Sequence, residues 1–289
     1  MLYYLYKLST FLALRVPLKI SYRIVTFFSD IFCVFAKSDR RNMRANLEIV
    51  LGTHDKKEIR RCTREIFRNF VKYLIDFVRF SKLSKAYIFN CVKIEGRENL
   101  DNALSKGKGA IMLSAHLGNW EMGGAIVAKM GYPLYVIALD HRDKRINNFF
   151  LKQRACTGVN VIPAGSQLKS CFRVLKKNCL LAIVADRDFS EKGGLEVTFF
   201  GKRAVFPKGP SFFSMRTGAP TVPVFCLREK DDSFRFVFEK AIETEFTGNR
   251  ERDKRRFIEE YTHVMERYIR KYADQWCVFR KMWPEQVCK

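Results

Sequence analysis

Two residues in this chain have types and spacing suited to moving a proton. In Gly109-Ala-Ile-Met-Leu-Ser-Ala-His116-Leu-Gly-Asn-Trp-Glu121-Met-Gly-Gly, a glutamate follows a histidine by five positions. An imidazole can take a proton from a hydroxyl, a step worth roughly 10²–10⁴-fold in rate. A neighbouring carboxylate can fix its tautomer and angle. On one continuous helix, five residues would hold the two side chains about 140° apart. They meet only if His116 stands in a strand-to-helix turn and Glu121 lies just inside the helix.

The flanking residues predict that arrangement. Ala110 to Ala115 is a short apolar run of buried-strand length, Gly118 lets the chain turn, and Asn119 is a good N-cap. The expectation is therefore His116 as base and Glu121 as orienter. The same pair also fits a core histidine beside a surface glutamate. Glycines after the strand leave room for a substrate and favour the chemical reading.

From Val92 onward the pattern alternates between short strands and helices. Strand-like runs occur at Val92–Glu95, Ala110–Ala115, Leu134–Leu139, Val159–Ile162, Leu180–Ala185, Thr221–Leu227 and Phe234–Phe238. Helical stretches occur at Glu121–Met130, Lys144–Thr157, Gln167–Lys177 and Arg250–Tyr272. The fold class expected is α/β: a largely parallel central sheet flanked by helices, with ligands at the carboxyl ends of its strands. His116 and Asp186 both fall at such ends.

Arg187, between Asp186 and Asp188, suits a phosphate or a developing oxyanion, and it also suits a loop ion pair. Gly193 to Pro210 reads as a loop and short strand opening a helix at Ser211. Lys208 and Gly209 stand beside that helix start as weak anion contacts. Arg142, after another strand, is a candidate phosphate contact. Arg154, on the following helix, reads equally well as a surface residue.

Ahead of the sheet, Lys37 to Phe80 reads as two helices separated by Gly52-Thr-His-Asp55. Residues 1–36 are apolar and aromatic but interrupted by Lys7, Arg15, Lys19, Arg23 and Asp30, so no run is long enough to span a bilayer. Arg15, Lys19 and Arg23 recur every four residues as one basic stripe beside apolar neighbours, which reads as helices lying in a membrane interface. The division expected is a membrane-associating segment at 1–36 and a domain at 37–289, with a helical lead-in at 37–90 and an α/β core at 91–289.

The setting His-Leu-Gly-Asn-Trp-Glu resembles the His-x4-Asp/Glu motif of the lipid A biosynthesis acyltransferases, the late lauroyl/myristoyl type. The likeness extends from Leu14-Arg-Val-Pro17, through Asn69-Phe-Val-Lys-Tyr, Phe199-Phe-Gly201, Pro207-Lys-Gly-Pro210 and Arg216-Thr-Gly-Ala-Pro220, to Asp274-Gln-Trp-Cys-Val-Phe-Arg-Lys-Met-Trp283. Asp186-Arg187-Asp188 departs from the Asp-Gln more usual there and is similar to the phosphatidylinositol mannoside acyltransferase branch.

The resemblance implies an O-acyltransferase with a glycerolipid-acyltransferase-like fold. It implies acyl carrier protein or CoA thioester as co-substrate. The four histidines, two of them in charged helical patterns, give no reason to expect a metal. No Gly-x-Gly-x-x-Gly follows the early strands to suggest a cofactor. The acceptor implied is a membrane glycolipid of the lipid A type in lipopolysaccharide biosynthesis. It also implies a place on the cytoplasmic face of the bacterial inner membrane, anchored through the N-terminus.

Bulk properties agree with anionic partners. Lys and Arg number 53 against 30 acids, a net charge of +23, which suits an anionic membrane surface, a phosphorylated substrate or an acidic carrier. Nucleic acid is the alternative partner, but the chain carries no nucleic-acid motif, and its basic residues flank an apolar terminus. Nine cysteines without a Cys-x-x-Cys pair point away from disulfide and zinc frameworks. Neither a Gly-x-Ser-x-Gly elbow nor a phosphate loop is present.

Overall fold

The computed structural model describes residues 2–164, 168–188, 193–243 and 247–283. Helices α1 (Leu2–Arg15), α2 (Leu18–Phe35), α3 (Lys37–Leu51), α4 (Lys56–Val78) and α5 (Lys85–Cys91) precede the sheet. Then follow β1 (Val92–Glu95), α6 (Arg97–Ser105), β2 (Ala110–Ser114), α7 (Trp120–Lys129), β3 (Leu134–Ala138), α8 (Lys144–Ala155), β4 (Asn160–Pro163), α9 (Leu168–Lys176) and β5 (Leu180–Val184). The chain continues through β6 (Leu195–Phe199), β7 (Lys202–Phe206), α10 (Gly209–Thr217), β8 (Thr221–Arg228), β9 (Phe234–Phe238) and α11 (Arg250–Lys271) to a single turn, Ala273–Gln275. Gln167, at the start of one expected helix, lies outside the described residues.

The main sheet has seven strands in the order β1-β9-β8-β2-β5-β3-β4, all parallel to their neighbours except the antiparallel pair β8/β9. Its central strands are buried along their whole length, and all residues of β2 and β8 but Ser114, Thr221 and Arg228 are apolar. Strands covered on both faces read that way, because neither side chain parity meets water. On one face Met112 and Ala110 pack with Ala125 and Ile126 of α7. On the other, Ile111 and Leu181 pack with Leu175 of α9 and Phe213 of α10.

Two features depart from expectation. Gly193 to Phe206 contains two strands, since β6 and β7 form an antiparallel hairpin. Its turn residues Phe200 and Gly201 have φ of 50° and 73°, the left-handed pair of a tight hairpin turn. Helix α10 then begins at Gly209, two residues before the expected Ser211. The basic stripe near the N-terminus is also broken. The helix stops before Pro17, so Arg15 ends α1 while Lys19 and Arg23 belong to α2.

That break is held by the body of the protein. Arg79 donates to the carbonyls of Ala13 and Val16, and Lys82 to that of Leu14. Further along, Arg64 and Arg68 of α4 both grip Asp30 of α2, with Nε–Oδ1 distances of 2.9 and 2.8 Å. Their donors hold the Asp30 carboxyl well below its ordinary range against the opposing effect of burial. Helices α1 and α2 therefore lie along α4, leaving their other faces open.

Candidate active site

Strands β2 and β5 are parallel neighbours in register, with Ser114 opposite Val184. Ala185 N donates to Ser114 O at 2.8 Å, carrying the pairing one step further. Each chain then leaves the sheet, and the residues two positions past the paired ends are His116 and Asp186. Register alone brings these side chains together. His116 Nδ1 lies 2.6 Å from Asp186 Oδ1. A carboxylate can only accept, so Nδ1 carries the proton and donates it, and Nε2 keeps the free lone pair.

Asp186 is fully buried, and its second oxygen accepts from Trp276 Nε1 at 3.0 Å. Burial would raise this carboxyl, but His116, Arg187 and the Trp276 indole outweigh it and hold the group well below the usual carboxylate range. Arg187 Nε comes within 3.3 Å of His116 Nδ1. Since that nitrogen already gives its proton to Asp186, this is a close approach and not a second hydrogen bond. Arg187 Nη2 also donates to Cys277 O at 3.4 Å. Burial pushes the Arg187 guanidinium down, and Asp186 beside it acts in the opposite direction.

The orienting carboxylate is thus Asp186, correcting the expectation that Glu121 would serve. Glu121 does lie in the first turn of α7, as the spacing required. Its carboxylate faces α8, where Arg154 binds it through two nitrogens, Nε to Oε2 at 3.0 Å. Both side chains of this ion pair are largely buried. Arg154, which the sequence left as equally a surface residue, is therefore an interior one, its guanidinium 5.9 Å from the ring centres of Phe77 and Phe150.

The turn between His116 and α7 is tightly fixed. Cys277 N donates to His116 O at 2.8 Å, Gly118 N to Gln275 O at 3.1 Å, and Asn119 N to Cys226 O at 2.8 Å. Gly118 has φ +64°, and a Cβ there would stand 2.2 Å from Cys226 O. Only glycine fits. Asn119 is the N-cap, its Oδ1 accepting from Met122 N at 3.0 Å. Trp120 turns its ring edge-on to His116 at 4.9 Å and stacks on Tyr73 at 4.6 Å.

A cavity of about 940 Å³ opens at His116, toward the large end of ligand sites. It runs along both faces at the carboxyl ends of the strands. Met112, Ala182 and Val136 line it on the α7 side, where Gly123 and Gly124 leave space. Ile137, Ile162 and Phe213 line it on the other. Glu121, Arg154, Arg187, Asp188, Lys208 and Gly209 supply its polar wall. Arg142 is exposed and is not among the lining residues, because the loop after β3 carries it outward. Asn119 is buried behind the wall.

Three of the segments that carried the resemblance meet behind Asp186. Asn69 Nδ2 donates to Asp274 O at 3.0 Å, Trp276 holds Asp186, and Phe199 stacks on Trp283 at 5.8 Å. No local pattern marked Trp276 for contact with the carboxylate. Its signal was only its place in that resemblance.

The chain thus carries, on a largely parallel α/β sheet, a histidine–carboxylate pair at the head of an apolar cavity, an arrangement chemically able to take a proton from a hydroxyl. The sequence profile of the bacterial lipid A biosynthesis acyltransferases matches residues 1–285, and the chain belongs to that family.

Among curated relatives, a phosphatidylinositol mannoside acyltransferase of Mycolicibacterium smegmatis is 26% identical over 193 residues, covering 65% of this chain and 63% of its own. One of the same description from Mycobacterium tuberculosis is 31% identical over 137 residues, 46% of this chain and 43% of its own. The lipid A biosynthesis palmitoleoyltransferase of Escherichia coli is 22% identical over 201 residues, 69% of this chain and 65% of its own. The chain thus spans less than two thirds of the length of these relatives. All three are acyltransferases, and nothing here supports the nucleic-acid alternative.

Proposed function

We propose that this chain transfers a fatty acyl group from a thioester, carried on acyl carrier protein or CoA, to a hydroxyl of a phosphorylated membrane glycolipid. The observation that carries the reading is the His116–Asp186 pair at the head of the apolar cavity. His116 Nε2 takes the proton of the acceptor hydroxyl while its oxygen attacks the thioester carbonyl carbon. A C–O bond forms, the tetrahedral oxyanion collapses, the C–S bond breaks, and the departing thiolate recovers the proton from the imidazolium. Asp186 holds the tautomer and stabilises the charged ring. Arg187, beside the ring, supplies donors for the oxyanion or a substrate phosphate. No group other than the acyl thioester is needed.

The acyl chain would lie among Met112, Val136 and Ala182. Each methylene buried there gains about 0.8 kcal/mol, so one carbon too few costs only about fourfold in binding. Chain selection must then come from a steric floor.

On this reading residues 1–36 lie on the cytoplasmic face of the inner membrane and 37–289 form the acyltransferase domain. Support comes from the open faces of α1 and α2, where Leu5, Phe11, Phe27, Phe28 and Phe35 are exposed. Among the described residues no helix is long and apolar enough to cross a membrane.

The match along nearly the whole chain favours a lipid A precursor as acceptor. A second reading, a phosphatidylinositol mannoside, is favoured by the higher identity to those relatives. The test offers a labelled hexadecanoyl thioester of acyl carrier protein with each acceptor in turn, to the wild type and to His116→Ala. The wild type should label one acceptor, and the variant should transfer about 10³-fold less while melting normally. Equal transfer by both proteins would end the assignment.

A further inference from the structure

Asn119 is held by more than the helix it caps. Its Nδ2 donates to Asp76 Oδ2 at 2.7 Å, and Asp76, on α4, is buried. The same carboxylate accepts from the Tyr22 hydroxyl of α2 and from the Arg228 guanidinium at the end of β8. Lys72 Nζ and Arg228 Cζ lie 5.4 and 5.0 Å from the centre of the Tyr22 ring, and Asp232 joins the two cations, 2.6 Å from Lys72 Nζ and 3.6 Å from Arg228. Arg228 N donates to Gln275 Oε1 at 2.9 Å, Gln275 Nε2 returns a bond to Arg228 O at 2.8 Å, and Gln275 O accepts from Gly118 N. Asp76 therefore reaches the His116 turn at two points: Asn119 directly, and Gly118 through Arg228 and Gln275. None of Tyr22, Asp76 and Arg228 lines the cavity.

A cap alone needs only an acceptor facing Met122 N. Asp76 adds a constraint: its oxygens can only accept, so the Asn119 amide must turn Nδ2 toward Asp76 and Oδ1 toward the helix. The carboxylate thereby fixes which way the cap faces, three residues from the catalytic ring. We propose that Asp76 is a positioning residue for acyl transfer, holding the His116 turn through Asn119 and tying it through Tyr22 to the seating of α2. The proposal rests on the reading of His116 as base.

Two substitutions separate positioning from bulk stability. Asn119→Ser keeps a good cap but lacks the nitrogen that reaches Asp76. Tyr22→Phe keeps the ring and drops only the hydroxyl, which donates to Asp76 and accepts from Arg228 at 3.1 Å. In the thioester assay, kcat should fall about 10-fold for the first and about 3-fold for the second, with KM within about twofold, since misplacing a catalytic group costs rate. Because part of the Tyr22 effect passes through Asp76 to Asn119, the double variant should lose clearly less than the roughly 30-fold product.

A wild-type kcat in Asn119→Ser, or losses that simply multiply, would overturn the proposal. Amide exchange supplies a reading independent of turnover. At Gly118 and Met122 it should quicken about tenfold in Tyr22→Phe with β4 unchanged, and unchanged exchange there also defeats the idea. Loss of transfer by the wild type with exchange altered as expected would instead remove the assignment of His116 as base.

Discussion

A carboxylate with no access to water is costly unless donors meet it. Asp186 is met by an imidazole, an indole and a nearby guanidinium. Glu121 is met by one arginine, away from the histidine. The two acids therefore have different consequences when neutralised. Asp186→Asn keeps an oxygen for His116 Nδ1 but removes the charge that steadies an imidazolium, so transfer should fall about 10²-fold. Glu121→Gln leaves Arg154 buried without its counter-charge, so stability should drop by about 3 kcal/mol while rate falls less. Parallel urea titrations and turnover measurements rank the pair, and the reverse ranking would restore Glu121 as orienter.

Asp186 also sets an acid dependence. Its folded pKa lies below the unfolded value of about 3.9, so its stabilisation is complete above that value and disappears as pH falls through the folded one. The stability gap between wild type and Asp186→Asn should narrow as pH falls below about pH 4.

At the scale of elements, the local pattern marks most strands within a residue or two, because β2 and β8 are apolar runs with polar residues only at their ends. Which parallel strands become neighbours is decided elsewhere in the chain. Leu180–Val184 reads as a strand, but nothing within it says that it pairs with Ala110–Ser114, and that pairing is what joins His116 to Asp186. The hairpin was half legible for a related reason. Lys202 and Arg203 are exposed and charged, which hides a strand whose buried residues are only Ala204 and Phe206.

The His116 turn was the most readable element, since its glycine and cap are tied to its shape. Gly118→Ala should cost about 3 kcal/mol or more, combining left-handed strain with a clash against the Cys226 carbonyl. Gly52→Ala is the control, with a φ of +62° but open space around it, and should cost only about 1 kcal/mol. Equal losses in urea unfolding would show that the turn relaxes away from Cys226.

Across the whole molecule, most of the exposed large hydrophobic side chains lie on α1 and α2, which also carry Lys7, Arg15, Lys19 and Arg23. Phe27, Phe28 and Phe35 of α2 are 63%, 62% and 74% exposed, although Tyr22, Ser29 and Cys33 of that helix are buried against the body. On the proposed membrane reading, the free apolar side of this helix enters the acyl layer while the other face stays docked on the body. The surrounding cations, part of the excess of 53 basic over 30 acidic residues, add about 1 kcal/mol each when held near anionic headgroups.

The two contributions separate with salt. Raising ionic strength shortens the Debye length to about 3 Å at 1 M and weakens only the electrostatic part. Replacing Phe27, Phe28 and Phe35 together by Ser removes an apolar contribution of roughly 1.5–3 kcal/mol for each ring that fully buries. Co-sedimentation with vesicles rich in phosphatidylglycerol should therefore give partial retention of the wild type at high salt and none for the triple variant. At low salt the variant should still bind, more weakly. Full release of the wild type by salt alone would mean that α2 does not enter the acyl layer, and that the charge by itself holds the protein at the surface.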